Sequence, residues 1–405
     1  MRTSKPVSAF IRPSPVKTAG WFAFLLVLLV IITVEVGVAT GLGNALASAL
    51  TGSRPIPSHL IAGFSIPTTT EAQQAKSEGV QTVLTYGSSY QDSTPLGHAL
   101  NTTLHMTQIE GEPWELLHQF ECHRLYTLRL PVGGYCSRDY PNMTMQSLLG
   151  GVENDMDQER WDPNVVGVWV LDDWPVSDPG SAAQFLPQIA SVIHSYAPNL
   201  PTICGFGASL LTNGTGAYFS HLLDNFTPSG CDEVAFYIYS QPVKTTTKAT
   251  FDWSMKSLLP TLLAGLKARG WNPKRTPLIG IVQAFGGERV NLPGYSYRTP
   301  TAADIAEQSE SYCKAGASGL AFYAWYTSGL AKLLTPANDS DMGQGVSEGI
   351  AGCQQIWAGG KATAGTRQQT PTALRLREHD YISDQRSADM PKSKFDPTRA
   401  KFWQL

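Results

Sequence analysis

Residues 165–175 read Val-Val-Gly-Val-Trp-Val-Leu-Asp-Asp-Trp-Pro. Seven residues without a charge are followed at once by two carboxylic acids and a Pro. A continuous apolar run of this length fits a strand of a parallel sheet, which is covered by helices on both faces and does not alternate polar with apolar. The same arrangement recurs on either side. Short β-branched or aromatic runs occur at Leu60 to Phe64, Gln81 to Tyr86, Arg124 to Leu130, Val165 to Leu171, Thr202 to Phe206, Glu233 to Tyr239, Leu278 to Ala284 and Gly319 to Tyr326. Segments of helical period lie between them, at Thr70 to Glu78, Trp114 to Glu121, Ala182 to Tyr196, Tyr218 to Asn225, Ser254 to Ala268 and Thr301 to Ala315. Eight βα units in this span predict an α/β fold of the (β/α)8 TIM-barrel type over residues 55–355. A doubly wound sheet lacks its phosphate-binding loop here, because Gly205-Phe206-Gly207 has the glycines of such a loop without their spacing.

The flanks differ from this centre. Arg2, Lys5, Arg12 and Lys17 precede an almost wholly apolar run from Trp21 to Thr40, broken by Glu35. Residues 1–50 therefore read as a basic stretch plus one apolar helix, either a membrane anchor or a cleaved export signal ending at one of the small-x-small sites Ala45-Leu46-Ala47 and Ala47-Ser48-Ala49. The positive-inside rule places the basic end in the cytoplasm and the barrel outside it. Residues 356–405 have few apolar residues and no period, and read as a disordered, mildly basic tail. Between residues 51 and 360 stand 17 bases against 27 acids, a balance of −10 with no basic run, which argues against nucleic acid as a partner.

All six cysteines follow the apolar segment, and no two have the Cys-x-x-Cys spacing of a zinc or redox site. Structural disulfides fit an exported chain, and sequence order suggests the pairs 122–136, 204–231 and 313–353, one of fifteen connectivities. Five sequons, at Asn101, Asn142, Asn213, Asn225 and Asn338, are glycan acceptors only in a eukaryotic host. No His-x-His or His-Glu-x-x-His spacing occurs, so neither a catalytic metal nor a cofactor is expected.

In a (β/α)8 barrel, chemistry sits at the C-terminal ends of the strands. Most of these ends are neutral here: Tyr86, Tyr239, Gln283, Trp325 and Tyr326. Strand four alone delivers charge, through Asp172 and Asp173. Burial and a like-charged neighbour raise a carboxyl pKa, and a carboxyl that keeps its proton near neutral pH can serve as a general acid.

The stretch Asp162 to Pro175, followed by Ser195-Tyr196-Ala197-Pro198, resembles the strand-four region of glycoside-hydrolase-type TIM barrels, in which that strand ends in Asp-Glu-Pro or Asn-Glu. Residues 277–287 and 316–326 resemble strands seven and eight of the same barrels. The resemblance implies that Asp173 is the acid/base, Asp172 its orienting neighbour, and Trp325 the ring beneath the sugar. Trp174, Tyr239, Gln283 and Tyr326 would line the substrate. The sequence departs from the pattern where it has Asp for Glu at 173, Trp174 before Pro175, and Gln283 where a nucleophilic Glu stands in retaining members. Glycosidases use two carboxyl groups, one on either side of the bond. Glu288 is the nearest candidate partner, with Asp178 and Asp232 as further possibilities. The expectation is an exported, membrane-attached barrel that hydrolyses a polysaccharide or glycoconjugate. The alternative is a non-catalytic carbohydrate-binding or scaffold barrel at the cell surface.

Overall fold

A computed structural model describes residues 59–130, 136, 142–160, 162–172, 178, 180–209, 223–239, 254–288, 296–325 and 333–359, all within the unit Pro55–Leu405. The apolar segment at 21–40, the tail beyond 360, Asp173, Trp174 and Tyr326 lie outside the described residues. No helix among the described residues is long and apolar enough to cross a membrane.

Eight strands close a parallel barrel: β1 (Ile61–Phe64), β2 (Thr82–Leu84), β3 (Thr107–Glu110), β4 (Val165–Leu171), β5 (Thr202–Ser209), β6 (Glu233–Tyr239), β7 (Leu278–Gln283) and β10 (Gly319–Tyr323). They pair in chain order, and β10 closes back onto β1 through Ile61 beside Leu320 and Gly63 beside Phe322. A small antiparallel sheet of β8 (Gly286–Glu288), β9 (Ser296–Tyr297) and β11 (Leu333–Leu334) sits beside the end of β7. The longer helices among the described residues are α1 (Thr69–Ser77), α2 (Glu112–Leu128), α3 (Met145–Glu159), α4 (Ala182–Tyr196), α5 (Leu259–Ala268), α6 (Ala302–Lys314) and α7 (Ser340–Trp357). Side chains of Thr68, Thr144, Thr301 and Asp339 accept from first-turn N–H groups of α1, α3, α6 and α7, so each of these starts is locally encoded.

The strand period of two divides the core into two layers. Ala62, Phe64, Ile109, Trp169, Ile203, Ala235, Tyr237, Ile279, Ile281 and Ala321 fill the lumen. Val234, Phe236, Ile238, Leu278 and Phe322 face the helices. Gly205 and Gly207 now have a physical role. A Cβ on Gly205 would lie 2.5 Å from the Trp169 ring, and one on Gly207 2.2 Å from that of Tyr237, so these glycines make room for two lumen aromatics.

One predicted strand is wrong. Residues 124–128 form the last turns of α2, which continues the buried stripe of Trp114, Leu117, Phe120 and Leu125 and stops at Arg129, whose φ is 57°. The third strand is instead Thr-Gln-Ile-Glu at 107–110. Its polar Gln108 and Glu110 hide it from a search for apolar runs, yet both are buried and hydrogen-bonded. The 18-residue helix α7 was also not anticipated.

The three cysteine pairs are disulfides: Cys122–Cys136, Cys204–Cys231 and Cys313–Cys353. Sequence order had suggested the same pairing.

Glu78, just after α1, lies beneath α7, where a Cβ on Gly343 would fall 2.3 Å from its Oε1. Burial pushes its carboxyl from the ordinary 4.5 up to about 7, only partly offset by the hydrogen bond that Gln74 donates. A raised folded-state pKa means that the folded protein holds the proton longer than the unfolded chain. Stability is therefore lost as pH rises from 4.5 through 7. Glu78→Gln should stabilise the protein by about 1–3 kcal/mol at pH 8 and by little at pH 4.5, allowing for partial solvent screening. Thermal melts at both pH values check this, and an equal gain at each would refute it.

Candidate active site

The C-terminal mouth of the barrel is ringed by aromatic side chains. Starting from Trp114, ring centroids follow at 5.4 Å to Tyr86, 5.6 Å on to Phe64, 5.4 Å to Tyr323 and 5.9 Å to Tyr239, which meets Phe285 at 5.0 Å. Tyr86, Tyr239 and Tyr323 are half-buried, with their inner edges on the lumen core. Trp169 fills the floor, edge-on to Phe64 at 5.6 Å. A half-exposed ring over an apolar floor can stack against the apolar face of a sugar.

Asp172 directly follows β4 and is 4% exposed. Its backbone carbonyl accepts from Trp114 Nε1 at 3.4 Å, which ties the end of β4 to α2. The segment beyond is anchored again at Asp178 by Arg124, whose guanidinium also holds Glu121 at 2.7 and 2.9 Å. Glu121 has no exposed surface, and burial raises its carboxyl to about 7 against the opposing pull of Arg124. Two ties therefore bracket residues 173–177.

The other predicted positions are spread out. Gln283 is 0% exposed at the end of β7; its N–H donates to Gln308 Oε1 and its Nε2 to the Phe285 carbonyl. It is a structural amide that turns β7 into β8. Glu288 ends β8, on the small antiparallel sheet. Trp325 is 0% exposed, with its ring against Gly63 in the layer between barrel and helices. Strand β10 ends at Tyr323, two residues earlier than Trp325, and Tyr323 has the lumen parity that brings its ring to the mouth. Asp178 is paired with Arg124. Asp232 precedes β6, at the opposite end of the barrel, where it binds His194 and the Thr202 N–H.

The described mouth thus brings together Asp172, Tyr239 and Gln283 with Tyr86 and Tyr323. Sequence reasoning singled out Trp325 instead of Tyr323 because it extended the last strand to Tyr326. Outside the lumen, three buried carboxyls converge, Glu110, Asp155 and Glu159. They were missed because strand three was placed 17 residues too late.

No family model matches this sequence, and no curated protein matches it. Among solved structures, the chain is similar to a class V chitinase from Pseudomonas fluorescens Pf-5, at 10% identity, 72% of this chain, 99% of that one and a TM-score of 0.42. It is also similar to the endo-β-1,4-mannanase of Thermotoga petrophila, at 10% identity, 76% of this chain, 78% of that one and a TM-score of 0.46. For a β-glucuronidase from Ruminococcus gnavus the values are 10% identity, 67% of this chain, 42% of that one and 0.39. The strand order itself defines the class: a closed (β/α)8 barrel with an aromatic mouth.

Proposed function

We propose that this protein is an exported, membrane-attached glycoside hydrolase-like barrel that acts on a polysaccharide or glycoconjugate, with Asp173 as acid/base and Asp172 orienting it. The observation that supports the reading is the end of β4, where Asp172 follows a fully buried strand and meets Trp114, the first ring of the aromatic band, with Asp173 next in sequence; β3 also ends in an acid, Glu110, but that residue faces away from the lumen. Glu288 is the partner carboxylate in this reading, with Trp174 and Tyr326 as further contacts in the mouth. The N-terminal apolar segment attaches the chain to the membrane, and the barrel lies outside the cytoplasm, where its cysteines oxidise. Protease shaving of intact cells should remove the barrel, and its full protection would contradict this placement.

A second reading, a non-catalytic carbohydrate-binding or scaffold barrel, draws on Gln283. An amide committed to the backbone of the β7–β8 turn leaves no carboxylate at the end of strand seven. A screen of polysaccharides for both binding and reducing-end release separates the two.

Binding itself has a sharp test. Tyr323→Ala should weaken glycan affinity about 10-fold while the fold persists, because it removes a ring that faces the mouth. Trp325→Ala should act differently and cost about 3 kcal/mol or more of stability, since its ring is core. Affinity and melting temperature measured on both variants check this. Unchanged affinity in Tyr323→Ala would remove that ring from the site.

A further inference from the structure

The two polar residues of β3 point away from the lumen. Gln108 accepts from the Tyr90 N–H at 2.7 Å and donates to the Tyr90 carbonyl at 3.1 Å, which pins the β2 loop to the barrel wall. Glu110 is 0% exposed, and both its oxygens accept backbone N–H groups, from Glu112 at 2.8 Å and from Ser89. Helix α3 brings Asp155 and Glu159, four residues apart and so on one face, against the same spot. Glu159 accepts from Gln91 Nε2 at 2.9 Å and from Ser89 Oγ at 2.6 Å. One oxygen from each of the three carboxyls lies within 4.8 Å of the others.

Asp155 is the unbalanced member. It is 7% exposed, and its Oδ2 is sealed from solvent with no hydrogen-bond partner. Among the described residues no Lys, Arg or His forms an ion pair with any of the three. Donors on both oxygens of Glu110 and of Glu159 are the arrangement of ionised carboxylates, which accept and do not donate. Two or three such charges, buried together, repel strongly and need a neutralising partner. In the absence of one, burial pushes all three carboxyls upward, aided at Glu110 by Asp155 and Glu159, at Asp155, which rises to about 8, by Glu159, and at Glu159 by Asp162.

We propose that Glu110, Asp155 and Glu159 bind a hard divalent cation, calcium best, outside the barrel lumen. Calcium takes oxygen ligands at 2.3–2.6 Å, so oxygens on opposite sides of its shell stand about 4.6–5.2 Å apart. Three carboxylates whose oxygens fall within 4.8 Å fit that sphere, and magnesium, at about 2.0–2.1 Å, needs a tighter one. The ion would tie three separate segments together: the Ser89–Gln91 loop, the end of β3 and the C-terminal turn of α3. Its role is to hold the framework behind the mouth, and it does not depend on the barrel acting on sugars.

The test uses the full-length protein, stripped with EDTA and dialysed, in thermal melts at pH 7.5. Adding 1 mM CaCl2 (about 100 times the dissociation constant, if that is near 10 μM) should raise the melting temperature by about 3–6 °C, and MgCl2 should raise it less. Asp155→Asn should lose the calcium shift. Asp157→Asn, on the exposed face of the same helix, should keep it. Should Asp155→Asn fail to fold, Glu159→Gln is read in the same way. No calcium shift in the wild type overturns the proposal, and so does a full shift retained in the Asp155 and Glu159 variants.

Discussion

Asp173→Asn is expected to lower turnover of the polysaccharide substrate about 100- to 10,000-fold while leaving the fold and glycan affinity intact. That is the usual loss when a positioned general acid is removed. The expectation starts from β4, whose seven residues are all buried and which is followed in sequence by Asp172 and Asp173. Adjacent residues of a strand point to opposite sides, and for that reason the two carboxyls are given different roles in the proposal. Asp172, buried and held to α2 through its carbonyl, takes the supporting place, and Asp172→Asn should cost less than Asp173→Asn. Glu288→Gln then separates the two functional readings. A loss comparable to that of Asp173→Asn makes the pair a working acid and base or nucleophile. Full activity moves the partner elsewhere, and not to Asp178 or Asp232, which are engaged with Arg124 and with His194 at other sites. A wild-type protein that binds glycans and never releases reducing ends belongs to the binding-module reading. Initial rates and isothermal titration on the same preparations check all of these outcomes.

What could be read from the chain alone follows from where burial is two-sided. Strands β4 and β6 were placed to the residue, since Val165–Leu171 and Glu233–Tyr239 are apolar on both faces or nearly so. Helix α4 was equally clear, because Leu186, Ile189, Ala190 and Ile193 hold a strict helical period. The third strand was not legible. Half of it is polar, and its outward residues are satisfied by a loop 18 to 21 residues away, a tertiary arrangement with no local signature. Losing that strand hid Glu110, and with it the reason for Asp155 and Glu159 on α3. At the mouth, the aromatic character was legible, but the choice between Tyr323 and Trp325 turned on where β10 stops. A shift of two residues past that end moved attention from a ring at the lumen to a ring in the core.

The last helix gives the second large effect. Helix α7 contributes no strand to the barrel and packs on α6, where Gly345 and Gly349 allow close approach: a Cβ on them would fall 2.7 Å from Ala302 and 2.4 Å from the Ser309 hydroxyl. Met342, Val346 and Ile350 bury its inner face, and Cys353 joins it covalently to Cys313 on α6. That bond closes a 40-residue loop, for which the loss of unfolded-state entropy corresponds to about 4 kcal/mol. Replacing both cysteines by Ala should therefore lower the melting temperature by about 6 °C. The Cys122–Cys136 pair closes only 14 residues, and its removal should cost about 3 kcal/mol. Treating the wild type with a strong reductant should bring its melt to or below that of the Cys313→Ala/Cys353→Ala variant, since reduction opens all three bonds. Calorimetry on the three samples decides the point: a double variant within about 1 kcal/mol of wild type would mean that packing alone holds α7 against α6. A large loss would mean that the barrel reaches its full stability only where its thiols oxidise, as its proposed place outside the cytoplasm requires.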